Sequence, residues 1–143
     1  MPSVRWFIED QCARLVARDF AGAASAFSIP LVIVSGRDSR VVFREDELHG
    51  ILEGLLEELA LGDQRVLQRQ LVEESQGRSL TMLSFVDRVQ GPDGAVLLEL
   101  RSSFTMRQSL GHGAIMIWTV LDVPDALARR LFDARPPEQR RRS

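Results

Sequence analysis

Tyrosine, lysine and asparagine are absent from this 143-residue sequence, and two of these absences exclude familiar kinds of chemistry. Without tyrosine there is no phenolic proton donor. Without lysine there is neither a Schiff-base residue nor the lysine of a phosphate-binding loop. The chain has one cysteine, Cys12, and two histidines, His49 and His112. The single cysteine excludes an internal disulfide and a multi-cysteine zinc site, and with only two histidines we expect no metal site. We also expect no cofactor.

The sequence also lacks an excess of either charge. Its 18 basic residues, all of them arginine, face 20 acidic residues and leave a net charge of -2. This balance disfavours general nucleic-acid binding. No apolar run reaches the roughly 18 residues needed to cross a membrane, and the N-terminus shows no secretory signal pattern. We therefore expect a cytoplasmic protein that binds neither nucleic acid nor membrane.

The composition is that of one soluble domain, with 45% hydrophobic and 27% charged residues. We expect this domain to span residues 1–134. The remaining residues, 135–143, contain two prolines and four arginines, which predicts a disordered polar tail.

Helical spacing of apolar residues dominates the first half of the chain. Asp19 stands where an N-cap belongs, and Pro30 is expected to stop the short helix that follows it. The predicted elements are helices over Ser3–Arg18, over Phe20–Phe27 and from Glu45, and short strands over Leu31–Val34 and Val41–Phe43.

Alternation with a period of two replaces the helical spacing beyond Gln64. The predicted elements are strands over Arg65–Glu74, Leu80–Val89, Val96–Arg107 and Ala114–Asp122, and a last helix over Asp125–Phe132. Helices first and strands later predict an α+β fold, with a curved antiparallel sheet whose concave face the helices cover.

Two of the predicted strands are apolar on both faces. In the last strand, the residues predicted on one face are Ala114, Met116, Trp118 and Val120, and those predicted on the other face are Ile115, Ile117, Thr119 and Leu121. An antiparallel sheet with one solvated face is expected to alternate apolar with polar residues. Either the last helix or another subunit is therefore expected to cover the outer face.

The element order and four segments together resemble the nuclear transport factor 2-like superfamily, in particular its SnoaL-like bacterial members. The segments are Asp19–Leu31, Arg44–Leu52, the hairpin Gly91–Gly94 and the strand Arg101–Arg107. The resemblance covers nearly the whole chain outside the tail, and it depends on element order more than on any catalytic motif.

The resemblance implies a cone-shaped, cystatin-like barrel in which the curved sheet wraps the helices and leaves a hydrophobic pocket. It also implies a homodimer formed through the outer sheet face. Members of the superfamily include ketosteroid isomerase, polyketide cyclases, scytalone dehydratase and small subunits of ring-hydroxylating dioxygenases. Because these functions differ, the fold alone does not decide between them.

The resemblance further implies that a pocket enzyme would move a proton with a carboxylate or histidine and stabilise an oxyanion with a tyrosine or a protonated aspartate. The lack of tyrosine breaks the ketosteroid isomerase pattern. Asp87 shares a strand face with apolar residues, and His49 borders the apolar stripe of the third helix, so both are catalytic candidates. Asp38 and His112 lie in turn segments, where a structural or solvated role is more common.

The inward-facing residues predict a ligand pocket. Its predicted members are Phe27, Phe85, Ser102, Phe104, Met106, Met116 and Trp118. Three functions remain open: binding of a small apolar molecule in the cone, which we favour; an isomerase, cyclase or dehydratase that uses Asp87 or His49; and a non-catalytic assembly module resembling a dioxygenase small subunit. A buried carboxylate in an open pocket would favour the second, and a pocket filled by aromatic and methionine side chains the third.

Overall fold

The structure is a computed structural model that describes residues 3–59, 64–109 and 111–133. The elements are α1 Val4–Val16, α2 Phe20–Ser25, β1 Phe27–Val34, β2 Ser39–Val42, α3 Glu45–Leu59, β3 Val66–Gln76, β4 Leu80–Gln90, β5 Val96–Arg107, β6 Ile115–Leu121 and α4 Asp125–Phe132. Their order is the predicted one. The predicted tail over 135–143 and the predicted domain end at residue 134 lie outside the described residues.

The six strands form one curved sheet in the order β2-β1-β6-β5-β4-β3. Neighbouring strands are antiparallel, except that β1 runs parallel to β6. The core lies between the helices and the inner face of the sheet, where side chains such as Ile8, Leu52 and Phe104 are almost fully buried. This arrangement confirms the predicted α+β class, with N-terminal helices held against a curved sheet.

The second helix is shorter than predicted. It ends at Ser25 instead of Phe27, and Pro30 lies inside β1 instead of stopping a helix. The backbone N–H of Ile115 donates to Ala26 O at 2.8 Å. This bond pairs the chain with the segment of β6 directly after α2, so that a strand begins at Phe27.

A β-bulge in the register between β5 and β6 corrects the predicted faces of the last strand. Thr105 pairs with Ile117 and Met106 pairs with Ile115, so Met116 is the extra residue. Ile115 is consequently fully buried, although simple alternation placed it on the same face as Ile117. Because residues 114–118 are all apolar, the extra residue leaves no break in the apolar pattern, and the alternation alone could not reveal it.

The last helix packs against α3 instead of the outer face of the sheet. Leu127 and Leu131 are buried, and the Arg130 guanidinium donates to Glu58 Oε1 at 2.9 Å. Gly54 allows this close approach, because a Cβ added there would lie 3.3 Å from Arg130 Cδ. Of the two coverings expected for the outer face, the structure therefore excludes α4.

Candidate functional site

A buried ion pair lies on the inner face of the sheet. Arg69 on β3 stands directly opposite Asp87 on β4 in the strand register. Arg69 Nε is 2.8 Å from Asp87 Oδ1, and Arg69 Nη2 is 3.0 Å from Asp87 Oδ2. The side chains are only 5% and 11% exposed, respectively. The contact is thus a two-pronged, charge-assisted hydrogen bond shielded from water.

The other donors and the face of the Arg69 guanidinium also have partners. Arg69 Nη1 donates to Ile8 O at 3.3 Å and to Gln11 Oε1. The guanidinium carbon lies 4.4 Å from the centroid of the Phe85 ring, within cation–π range. Burial lowers the pKa of Arg69, but the charge and hydrogen bonds of Asp87 outweigh it and leave that pKa raised.

This geometry bears on Asp87 as a catalytic candidate. The structure places it on the inner face beside Phe85 and Val89, as the alternation predicted. Both of its carboxylate oxygens accept hydrogen bonds from Arg69. Proton transfer between Asp87 and a substrate would therefore first require the ion pair to separate.

The charges of the buried ion pair act on the pKa of the nearby Cys12 thiol. Burial raises the pKa of the Cys12 thiol; the positive charge of Arg69 acts to lower it, and the negative charge of Asp87 acts to raise it. Since the thiolate is the reactive form, a raised pKa makes this cysteine unreactive at neutral pH.

The ion pair lines a small cavity in the cone. Its volume is ≈ 10 Å³, which corresponds to about one water molecule. The cavity is lined by Gln11, Leu15, Phe27, Leu52, Leu55, Leu59, Leu67, Arg69, Asp87, Val89, Leu98, Leu100, Phe104 and Trp118. Trp118 Nε1 is a buried donor without a hydrogen-bond partner among the described residues. The cone interior is thus nearly filled, with one unused donor at its wall.

The predicted pocket residues divide into two groups. Phe27, Phe104 and Trp118 line the cavity. The others do not: Phe85 packs on Phe104 with ring centroids 4.7 Å apart, Ser102 and Met106 are buried in the sheet, and Met116 is half-buried at the bulge. No ligand tests these assignments, which stay predictions.

The remaining acid–base candidates lie away from this cavity's lining. His49 Nε2 is 3.7 Å from Glu45 Oε1 on the same helix, and His49 is not among the lining residues. Asp38 is exposed, and its backbone N–H donates to Ser35 Oγ at 3.1 Å. His112 is exposed between Gly111 and Gly113. The structure therefore does not bring His49 and Asp87 together around one cavity.

The outer face of the sheet carries an uncharged line of side chains that crosses five strands in register. We call it the outer row, and its members are Met82, Thr105, Ile117, Val32 and Val41. Met82 is 51% and Val41 is 41% exposed. The neighbouring line across β4, β5 and β6 consists of the small residues Ser84, Ser103 and Thr119.

Solved structures share this architecture at low sequence identity. A domain of unknown function with a cystatin-like fold from Nostoc punctiforme is 13% identical and has a TM-score of 0.63; 97% of this chain and 88% of that chain are covered. A ketosteroid isomerase-like protein from Erwinia carotovora atroseptica is 14% identical, with a TM-score of 0.56 and coverage of 85% and 95%. A nuclear transport factor 2-like protein of unknown function from Shewanella oneidensis is 12% identical, with a TM-score of 0.58 and coverage of 81% and 93%.

The chain has the nuclear transport factor 2-like fold. This confirms the fold that the resemblance implied, whereas the SnoaL-like branch stays a prediction. No family model and no curated protein matches the sequence. Among the described residues, no helix is long and apolar enough to cross a membrane, and no group of three or more metal-ligating side chains occurs.

In this nuclear transport factor 2-like cone, sequence reasoning missed Arg69 and Gln11. On β3, Arg69 lies on the same face of the strand as Leu67 and Leu71, and both of these leucines face the core. A charged residue at the inward position of an alternating strand is rarely buried unless it is paired. That position was the available signal, and the partner could have been sought at Asp87.

Proposed function

We propose that this chain is an assembly module that pairs with a second copy of itself through the outer face of its sheet. The outer row is the observation that supports this most directly. Its members cross five strands without a charge, all but Thr105 are apolar, and Met82 and Val41 stay exposed. The helix α4 packs on α3, so the chain's own last helix does not cover them.

The nearly filled cone supports the same proposal. Small-molecule sites commonly have volumes of about 300–1,000 Å³ and are largely pre-formed. The ≈ 10 Å³ cavity beside Arg69 and Asp87 is far smaller. A ligand in the cone would have to displace core side chains such as Leu55 or Phe104. A surface that is already formed therefore favours assembly over chemistry inside the cone.

Binding of a small, largely apolar molecule in the cone is the second candidate. The unpartnered Nε1 of Trp118 favours it, because a buried donor without an acceptor is costly. A ligand with a carbonyl or hydroxyl oxygen would supply that acceptor. The isomerase, cyclase or dehydratase alternative needs more, since Asp87 would have to leave Arg69 and His49 lies outside the cavity lining.

The assembly proposal is tested by placing one charge in the outer row. We expect the wild-type chain to be a dimer and Ile117→Asp to be a folded monomer, measured by light scattering after size-exclusion chromatography. Two buried carboxylates facing each other in an interface are strongly unfavourable. Far-UV circular dichroism reports whether the variant is folded.

Gln68→Asp is the matched control. Gln68 is exposed on the same outer face, opposite Arg88 and outside the outer row. It introduces the same charge on the same face, and we expect the dimer to persist. A monomeric wild type, or a folded Ile117→Asp that stays dimeric, would contradict the proposal.

A further inference from the structure

A groove with a volume of ≈ 520 Å³ opens on the surface and shares one lining residue, Phe27, with the cone cavity. It lies between the junction of α2 and β1, the junction of β2 and α3, and the connection from β5 to β6. The lining residues that matter here are Ile29, Phe43, Arg44, Glu45, Arg107 and His112. Its volume falls within the range of about 300–1,000 Å³ that is usual for small-molecule sites.

One part of the groove wall is apolar and exposed. The residue Phe43 is 69% exposed and Ile29 is 40% exposed. Covering these side chains would stabilise a complex by about 25 cal/mol per Å² of apolar surface removed from water. The wall therefore suits an aliphatic or aromatic group of a ligand.

The groove also contains a cation without an acidic partner. Among the described residues, Arg107 makes no ion pair, and its one side-chain hydrogen bond runs from Nη1 to Gly113 O at 2.7 Å. The other arginine at the groove is paired, since Arg44 Nη2 lies 2.7 Å from Asp46 Oδ2. Glu45 Oε1 lies 3.7 Å from His49 Nε2, beyond hydrogen-bond distance, so this contact is an ion pair only when His49 is protonated. The Nε and Nη2 donors of Arg107 thus remain for an anion.

Backbone hydrogen bonds fix the position of Arg107. The Arg107 N–H donates to Ala114 O at 2.9 Å, and the Gly113 N–H donates to Ser25 O at 2.8 Å. Gly113 has a φ of 71°, a conformation that favours glycine. The loop that accepts from the guanidinium is itself tied to the end of α2. The cation is consequently held in place before any ligand arrives, which lowers the entropic cost of binding.

We propose that this groove binds a small amphipathic carboxylate. The carboxylate accepts hydrogen bonds from Arg107, and the apolar part covers Phe43 and Ile29. A single negative charge matches the one arginine without a partner, and a planar carboxylate fits a guanidinium in a two-pronged contact. The groove shares no lining residue with the outer row, so this proposal stands or falls independently of the assembly module.

The test is a titration of ¹⁵N-labelled protein with octanoate, followed by calorimetry and by amide chemical shifts. We expect saturable binding with shifts concentrated at Phe43, His112 and Gly113. The neutral analogue 1-octanol should bind about tenfold more weakly or worse, because it lacks the charge-assisted contact.

Variants assign the binding to Arg107. The Arg107→Gln variant should weaken octanoate binding about tenfold, whereas Arg107→Lys keeps the charge but not the two-pronged contact and should weaken it less. Arg101→Gln is the control, since Arg101 is an exposed arginine on the same strand but outside the groove. The proposal is overturned if octanoate does not bind, if 1-octanol binds equally well, or if Arg107→Gln and Arg101→Gln behave alike. Shifts confined to the cone around Trp118 would also overturn it.

Discussion

The two faces of β4 depart from the usual pattern in opposite ways. On the inner face, Asp87 is a charged residue buried among apolar neighbours, whereas on the outer face Met82 is an apolar residue exposed to water. On the inner face, the buried charge of Asp87 is neutralised within the chain, because Arg69 pairs with it. On the outer face, no side chain among the described residues covers Met82 from water. The inner face therefore neutralises its own buried charge, whereas apolar side chains of the outer face stay exposed in the single chain.

The largest expected effect on stability comes from removing the carboxylate that neutralises Arg69 on the inner face. Asp87→Ala leaves the Arg69 charge buried without its carboxylate. We expect the free energy of unfolding to fall by about 3–5 kcal/mol, measured by urea denaturation with tryptophan fluorescence. A loss below about 1 kcal/mol, the level of an exposed pair, would contradict a structural role for the ion pair.

The double variant Arg69→Met with Asp87→Leu shows whether the charge itself is needed. Apolar replacement of a whole buried ion pair is often neutral or stabilising. We expect the double variant to recover most of the stability lost in Asp87→Ala. If the double variant is as unstable as Asp87→Ala, the ion pair stabilises the fold beyond the neutralisation of its own two charges.

The next largest effect on stability is expected at Leu83. Its neighbour Met82 lies on the opposite face of β4, so substitutions at these two positions compare the inner face with the outer face. In the Ile117→Asp background, where dimerisation does not contribute, Leu83→Ala should lower the free energy of unfolding by about 2–5 kcal/mol. Met82→Ala should change it by less than about 0.5 kcal/mol. Leu83 is fully buried and Met82 is half-exposed.

In the wild-type background, the effect of Met82 should appear in association instead. We expect Met82→Ala to weaken dimerisation about tenfold, measured by analytical ultracentrifugation, since truncating a large apolar side chain that becomes buried in an interface can cost about 1.4 kcal/mol. Equal dimer affinities for Met82→Ala and wild type would remove Met82 from the interface.

The smallest expected effect concerns Cys12 beside the ion pair. Burial raises the pKa of its thiol in the folded chain, so the folded state holds the proton more tightly than the unfolded state. Stability is therefore fully present below the unfolded pKa of about 8.5 and falls as the pH rises above it, by at most about 1.4 kcal/mol per pH unit. The chain has neither tyrosine nor lysine, so no other side chain is expected to titrate in this window.

Cys12→Ala provides the measurement for this prediction. Its free energy of unfolding should be independent of pH between about 8.5 and 10, while that of the wild type declines. Parallel curves for the two proteins would show that the thiol does not cause the decline.

The sequence predicted the order of the ten elements that the described residues form and the inward position of Asp87, because both follow from apolar periodicity along one segment. It did not predict that Arg69 stands opposite Asp87, because strand register depends on pairing between segments. The bulge at Met116 and the early end of α2 were missed for a related reason. Each is decided by hydrogen bonds from another strand, which a single segment does not contain.

Native mass spectrometry of the purified chain, followed by denaturing analysis of any released molecule, tests the contrast between the two faces most directly. We expect a dimer, because the outer face pairs, and no released neutral apolar molecule, because the cone is nearly filled. A released amphipathic carboxylate would belong to the groove at Arg107. A monomer that carries a small neutral apolar molecule would contradict the expectation, since the working surface would then be the inside of the cone.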